Sequence, residues 1–204
     1  MLQIVKYPHP ALRYQSRPVT QIDADLHAAV QEMFGLMYAA KGVGLAANQV
    51  ALPYRFFILN VTAEPEQKDN ELVFINPVIV KRHSSIEDDE GCLSLPGLYS
   101  KVRRARKIKV RAYNLEGELM EYDAEDLLSR AIQHEADHLD GKLFIDYLDS
   151  LTLHSLKDKL REFEQQFRQA QQAGEYARDD QIVQELRVAT ISQRLQSTAS
   201  AVLD

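Results

Sequence analysis

Asp123-Ala-Glu-Asp-Leu-Leu-Ser-Arg-Ala-Ile-Gln-His-Glu-Ala-Asp-His-Leu-Asp-Gly141 is the stretch around which the rest of this sequence organises. It predicts a helix over about 124–140. Asp123 can cap it, Glu125 and Asp126 stand in a first turn where acidic groups face the positive end of the helix dipole, and Gly141 lies just past the end. Inside it, His134-Glu135-Ala136-Asp137-His138 is an H-E-x-x-H pattern. Residues four apart share one helical face, separated by about one turn of rise, so both imidazoles can reach a single metal ion. Glu135 stands beside them, where a carboxylate can take a proton from a metal-bound water. The bland alternative is an exposed charged helix with two incidental histidines.

Two histidines leave a third ligand to be found. The metzincin pattern would continue through Gly141 to a third histidine, but Phe144 occupies that position, which excludes it. A thermolysin-like site would take a glutamate from another helix, and Glu162 or Glu164 could be proposed without support from any motif. Cys92, in Glu90-Gly91-Cys92-Leu93-Ser94, is the better candidate, because a thiolate binds zinc or ferrous iron strongly. Taken alone, a single cysteine is more often an inert buried residue than a ligand. Two imidazoles and one thiolate would leave a fourth position open, as in a catalytic site, whereas a structural site needs a fourth protein ligand. His9, His27, His83 and His154 have no motif spacing and read as surface or packing residues.

Gly42-Val43-Gly44-Leu45-Ala46-Ala47-Asn48-Gln49 is the third informative segment. Its small residues permit close backbone approach to a ligand or another chain segment. It does not fit a dinucleotide-binding fingerprint, because the glycine spacing differs and a predicted helix, not a strand, precedes it. The Gln49 amide could donate to a developing oxyanion. Alone, the segment would read better as a tight helix-to-strand connection with Gln49 in solvent.

The remainder is ordinary in composition. With 204 residues, 45 % of them hydrophobic and 26 % charged, the chain can bury one useful core and is not broadly disordered. One cysteine excludes an internal disulfide, and a formal charge of −6 argues against holding nucleic acid through bulk electrostatics. No signal-like apolar stretch is visible at the start and no run approaches membrane-spanning length, so a soluble cytoplasmic protein is expected. The first 22 residues, with Pro8, Pro10 and Pro18, read as an extended wrapping segment. A helix is predicted over 23–40, capped by Asp23, burying Leu26, Ala29, Val30, Met33, Phe34, Met37 and Tyr38 and ended by Gly42. Strands are expected at 55–61, 71–75, 78–80 and 107–113, with Asn114-Leu-Glu-Gly117 turning the last into 119–122. A further helix begins near Asp149 and is interrupted at Gly174. A weaker helical stripe at Ile182, Leu186 and Ala189 then leads to a frayed Ser-Thr-Ala-Ser end.

Taken together and in order, the segments 42–49, 90–94 and 133–141 resemble the three signature motifs of the peptide deformylase family. Tyr7-Pro-His-Pro-Ala-Leu-Arg13 and Gly141-Lys-Leu-Phe-Ile-Asp-Tyr147 continue the resemblance, which spans about residues 1–160. It implies an α+β fold, with antiparallel sheets surrounding a central helix that carries the H-E-x-x-H motif and a helical C-terminal extension. The catalytic domain would span 1–164, followed by a helical or partly disordered extension over 165–204. The implied reaction is hydrolysis of the N-formyl group from the initiator methionine of nascent polypeptides. Carried over residue by residue, Cys92, His134 and His138 would bind the metal, and Glu135 would be the base and acid. Gln49 and the Leu93 N–H would steady the oxyanion, while Val43, Gly44 and Gly91 would contact the substrate backbone.

The family is commonly ferrous and also works with nickel or cobalt, so Fe(II) is the expected ion, with Zn, Ni or Co as alternatives. The resemblance also pairs Glu90 with Arg103 or Arg104. Implied partners are N-formylmethionyl nascent peptides, with transient proximity to the ribosome in a bacterial-type cytoplasm or an organelle, and no direct nucleic-acid or membrane binding. Two departures stand out. Tyr99 occupies a place where some relatives carry an arginine, and residues 151–204 hold seven Lys/Arg against eight Asp/Glu, so charge does not predict ribosome docking. The rivals are a peptidase or other deacylase using the same site, and a binding module with a structural metal.

Overall fold

Phe56-Phe-Ile-Leu59 is the strand on which the architecture turns, and all four of its side chains are buried. Successive side chains of a strand point to opposite faces, so a continuous apolar run serves a strand covered on both sides. Phe56 and Ile58 pack with Leu26, Val30 and Met33 on one face of the sheet, while Phe57 and Leu59 pack with Ala131, Ile132 and Leu139 on the other. Each large apolar side chain buried in this way contributes roughly 1.5–3 kcal/mol.

The computed structural model describes residues 1–197. Seven strands are present among them: β1 (Gly44–Ala46), β2 (Phe56–Leu59), β3 (Leu72–His83), β4 (Ile86–Cys92), β5 (Leu95–Arg104), β6 (Lys107–Tyr113) and β7 (Leu119–Glu125). They form a five-stranded sheet in the order β1-β2-β3-β6-β7 and a separate β4-β5 hairpin, all pairings antiparallel. The helices are α1 (Ala24–Ala39), α2 (Asp126–Leu139), α3 (Ser150–Ser155), α4 (Lys157–Gln172), α5 (Asp179–Val188) and α6 (Ile191–Ser197). Helix α1 covers one face of the large sheet. Helix α2 lies on the other, with the β4-β5 hairpin against it through hydrogen bonds from Arg130 to Asp88 O and Val102 O. The expected α+β architecture is therefore present.

Local differences have physical causes. Asp23 caps α1 as expected, its side chain accepting from Leu26 N–H. Asp123 does not cap α2. It is paired opposite Lys109 in the β6-β7 ladder, where its carboxylate takes the ammonium at 2.9 Å. The strand then runs directly into the helix at Asp126, whose φ is 48°. The segments 71–75 and 78–80 are one strand interrupted at Asn76 (φ 52°), whose amide bonds the N–H and C=O of Val19 at 2.8 Å each.

The β4-β5 hairpin was not expected from the acidic run at 87–89. Its strands are held by charge complementarity, since Glu87 stands opposite Arg103 and Asp89 opposite Lys101, pairs that stabilise adjacent antiparallel strands. Beyond α3 the chain folds back on itself. Phe167, Ile182 and Leu186 are buried with Val5, Ala11 and Leu12, and Ile191 joins Leu2, Val19 and Leu26. Gly174 (φ 81°) separates α4 from α5, and of the expected frayed end, 198–200 lie outside the described residues.

Candidate metal centre

Arg130, His134 and His138 follow each other at four-residue spacing and so line one face of α2. That face meets the end of β4, where the register shifts between Gly91 and Cys92. His134 Nε2 and His138 Nε2 lie 3.2 Å apart, and Cys92 Sγ is 3.4 Å from His138 Nε2. The three ligand atoms all fall within 4.8 Å of one another. Two imidazole nitrogens and a sulfur pointed at one small volume fit a divalent ion, and this donor set leaves room in a four-coordinate shell for one further group. Beside these ligands the buried Glu135 Oε2 lacks a hydrogen-bond partner, which leaves a place for a polar occupant.

A buried ionic network orients the ligands. His134 Nδ1 is 2.6 Å from Glu90 Oε1, which leaves Nε2 facing the centre. Arg104 grips the same carboxylate with two hydrogen bonds, at 2.6 and 3.1 Å, and Arg130 adds a third at 3.3 Å. Burial opposes ionisation of Glu90, but His134 and Arg104 outweigh it and lower its carboxyl to about 2. Arg104 also binds Asp137, which accepts from the Tyr147 hydroxyl at 2.9 Å. Of the two arginines expected opposite Glu90, Arg104 is the partner, while Arg103 faces Glu87 at the surface. Burial drives His138 well below its ordinary value. His134 is raised well above its own, because hydrogen bonds to Cys92 and Glu90 overcome burial. Burial also raises Glu135 to about 7.

Gln49 is 1 % exposed, not solvent-facing, in the 3-10 turn Ala47–Val50 that follows β1. Its Oε1 accepts from Ala46 N–H at 2.8 Å, which fixes the amide orientation. Its Nε2 lies 3.2 Å from Ser94 Oγ and 3.5 Å from Cys92 Sγ, so the donor end is aimed at the ligand cluster. Leu93 follows Cys92 in the turn to β5.

The small residues have separate reasons. A Cβ on Gly44 would stand 2.5 Å from Glu135 Oε1, and one on Gly91 would collide with the Tyr99 ring. A Cβ on Gly42 would stand 2.6 Å from Leu93 Cδ1. Gly42 thus leaves room for the Leu93 side chain, while Lys41 (φ 55°) takes the left-handed position after α1. Val43 is half-buried beside them, its carbonyl accepting from Asn60 N–H.

The structure brings Gln49, Cys92, His134, Glu135 and His138 together. Glu164 instead accepts from the Tyr7 hydroxyl at 3.2 Å. His27, His83 and His154 are exposed, and His9 is packed between Phe167 and Tyr176. Ser94, Arg130, Asp137 and Tyr147 lie in or beside the quoted segments but were given no role of their own. Only Arg130 carried a legible signal, lying one helical turn before His134.

Comparison with known proteins finds relatives over most of the chain. A family model described as polypeptide deformylase matches residues 1–154. A peptide deformylase of Acidobacterium capsulatum is 45 % identical over 173 residues, covering 85 % of this chain and 97 % of its own. One of Rhodopirellula baltica is 39 % identical over 184 residues, covering 90 % and 91 %. The crystal structure of a peptide deformylase from Plasmodium falciparum superposes with a TM-score of 0.79 at 38 % identity, over 81 % of this chain and 97 % of that one. A peptide deformylase structure from Legionella pneumophila gives 0.75 at 38 %, over 81 % and 96 %.

Proposed function

The chain belongs to the polypeptide deformylase family, and on that premise we propose that Cys92, His134 and His138 hold one ferrous ion while Glu135, Gln49 and the Leu93 N–H perform the deformylation. The reaction of the family is removal of the N-formyl group from nascent polypeptides. A divalent ion in this site supplies Lewis acidity, lowering the pKa of water toward neutrality and polarising a carbonyl.

The protein's own groups do the rest. Glu135, buried and with Oε2 unpartnered, takes the proton of the attacking water. The C–N bond of the formamide then breaks, and Glu135 returns the proton to the departing amine nitrogen as formate leaves. Gln49 Nε2–H and Leu93 N–H donate to the oxygen that gains negative charge, and donors fixed before the reaction cost no reorganisation during it. Gly44 keeps the space next to Glu135 open, and with Val43 and Gly91 it lets the substrate backbone approach closely. A formyl carbon bears only hydrogen, so a narrow site admits it and excludes larger acyl groups.

The supporting observation is the convergence of Gln49 Nε2, Cys92 Sγ and the two histidine Nε2 atoms on one volume beside Glu135. All these groups lie within the proposed catalytic unit 1–164. No helix among the described residues is long and apolar enough to cross a membrane. We place the protein in the compartment where formylmethionyl chains are made, a bacterial-type cytoplasm or an organelle. It comes near the ribosome through its substrate and not through the near-neutral segment 151–204. The deciding experiment is formate release from formyl-Met-Ala-Ser by metal-loaded protein and by Glu135→Gln. Retained metal with lost turnover is the expected result. Full turnover in that variant would overturn the assignment, and equal activity after anaerobic and aerobic preparation would count against iron.

A further inference from the structure

Helices α5 and α6 lie beyond the 154 residues that the family model matches, yet they do not project from the body. Ile182 and Leu186 of α5 are buried at 4 % and 1 % exposure against Val5, Ala11 and Leu12 of the N-terminal segment. Tyr176, between α4 and α5, sets its ring edge-on to His9 with centroids 5.4 Å apart, and Phe167 meets the same imidazole at 5.8 Å. At the end of α5, Arg17 donates to the carbonyls of Arg187 and Ala189, and beyond it Ile191 packs beside Leu2 and Leu26. The C-terminal segment thus meets the N-terminal one at Leu2, His9, Ala11, Leu12 and Arg17.

That segment touches the proposed oxyanion donor from two sides. Val5 N–H donates to the backbone carbonyl of Gln49 at 2.8 Å, and Tyr7 N–H donates to the carbonyl of Ser94 at 2.9 Å. The Ser94 hydroxyl in turn lies 3.2 Å from Gln49 Nε2. Between these bonds and the covering helices stand only Lys6–His9, a turn closed by His9 N–H to Lys6 O and continued by Ala11 N–H donating to His9 Nδ1. The segment pairs with the sheet through one bridge, Arg17 to Tyr54, and Asn48 donates to the Ala11 and Tyr14 carbonyls, so the residues before them need packing to stay in place, since each ordered backbone residue costs roughly 1–2 kcal/mol in entropy.

We infer that Tyr176, α5 and α6 form a strap that presses the N-terminal segment onto Gln49 and Ser94, making the extension a positioning element for the oxyanion donor. The inference rests on the proposed role of Gln49. A shift of a few tenths of an ångström in the Val5 and Tyr7 anchors moves both ends of the Gln49 residue, and catalytic donors are sensitive to such displacement.

The test uses the full metal-loaded chain with Leu186→Ala, Tyr176→Ala, Gln49→Ala and the double variants, assayed well below each melting temperature. Leu186→Ala and Tyr176→Ala should each lower kcat about five- to tenfold with KM and metal content unchanged. Amide hydrogen exchange at Val5 and Tyr7 should accelerate. In the Gln49→Ala background, the same substitutions should change kcat less than twofold, because the donor they position is gone. Tyr176→Ala is the variant to read if Leu186→Ala melts below the assay temperature. Unchanged kcat and exchange in both variants overturns the strap. So does an equal kcat loss with and without Gln49. Wild-type kcat in Gln49→Ala itself overturns the oxyanion role, and the exchange rates then report on the strap separately.

Discussion

Gly44→Ala tests the closeness of the proposed base to the backbone. The added methyl would lie 2.5 Å from Glu135 Oε1 and 2.6 Å from Leu59 Cδ2, where ordinary contact begins at 3.4 Å. The strand cannot retreat easily, because Gly44 pairs with Leu59 in the sheet and Gly42 two residues before it is already against Leu93. The carboxylate must therefore give way by about 1 Å, and a misplacement of that size costs about 100-fold in rate. Overpacking of this kind also costs about 1–3 kcal/mol in stability, which lowers Tm by several degrees in a protein of this length. Metal content should be unchanged, because no ligand atom is touched. The measurement is kcat for formate release from formyl-Met-Ala-Ser, with metal content by atomic absorption and Tm by calorimetry. Wild-type kcat in Gly44→Ala would refute the placement of Glu135 as the base at this wall. A loss of rate that tracks loss of metal would refute the route through Glu135.

Further outcomes follow from the same geometry. Glu90→Gln leaves buried Arg130 with a neutral partner and Arg104 with Asp137 alone, so it should cost about 3–5 kcal/mol in urea unfolding and weaken metal retention through loosened His134. Unfolding free energy equal to wild type would remove the network from the account of stability. Burial, helped by Arg194, lowers the His9 pKa from 6.5 to about 4 in the folded chain. The unfolded state therefore binds the extra proton first as pH falls. Stability should drop by about 2 kcal/mol between pH 7 and pH 5 and level off below about 4, and His9→Gln should flatten that slope in urea titrations. Removal of the metal by chelation should abolish turnover while leaving the far-ultraviolet circular dichroism intact, since the three ligands sit on elements with their own cores. Loss of the helical signal on chelation would indicate a structural ion instead.

Much of the site was legible because its parts are local. The four-residue spacing of His134 and His138 is a property of one helix, and the small residues at 42–47 are a property of one loop. The strand at Phe56–Leu59 was likewise legible from its local pattern, while its burial on both faces came from the structure. The β4-β5 hairpin was not, because an acidic strand becomes reasonable only beside the basic one it pairs with. Asp123 misled for the same reason. It is a good cap by type, but Lys109 across the ladder claims it first.

By itself the sequence determined which residue types could make a metal-assisted hydrolase. A helix fixes the relation of two histidines four apart whatever surrounds it, and a lone cysteine in a small-residue motif is chemically distinct from every other side chain in the chain. Only the tertiary structure decided which arginine holds Glu90, which way the Gln49 amide points, and that the C-terminal helices cover the N-terminal segment. The contacts behind those choices range from 14 residues apart for Glu90 and Arg104, through 45 for Gln49 and Ser94, to 170 for Arg17 and Arg187. Such contacts depend on how the sheet, the hairpin and the helices pack, and local propensity carries no record of that.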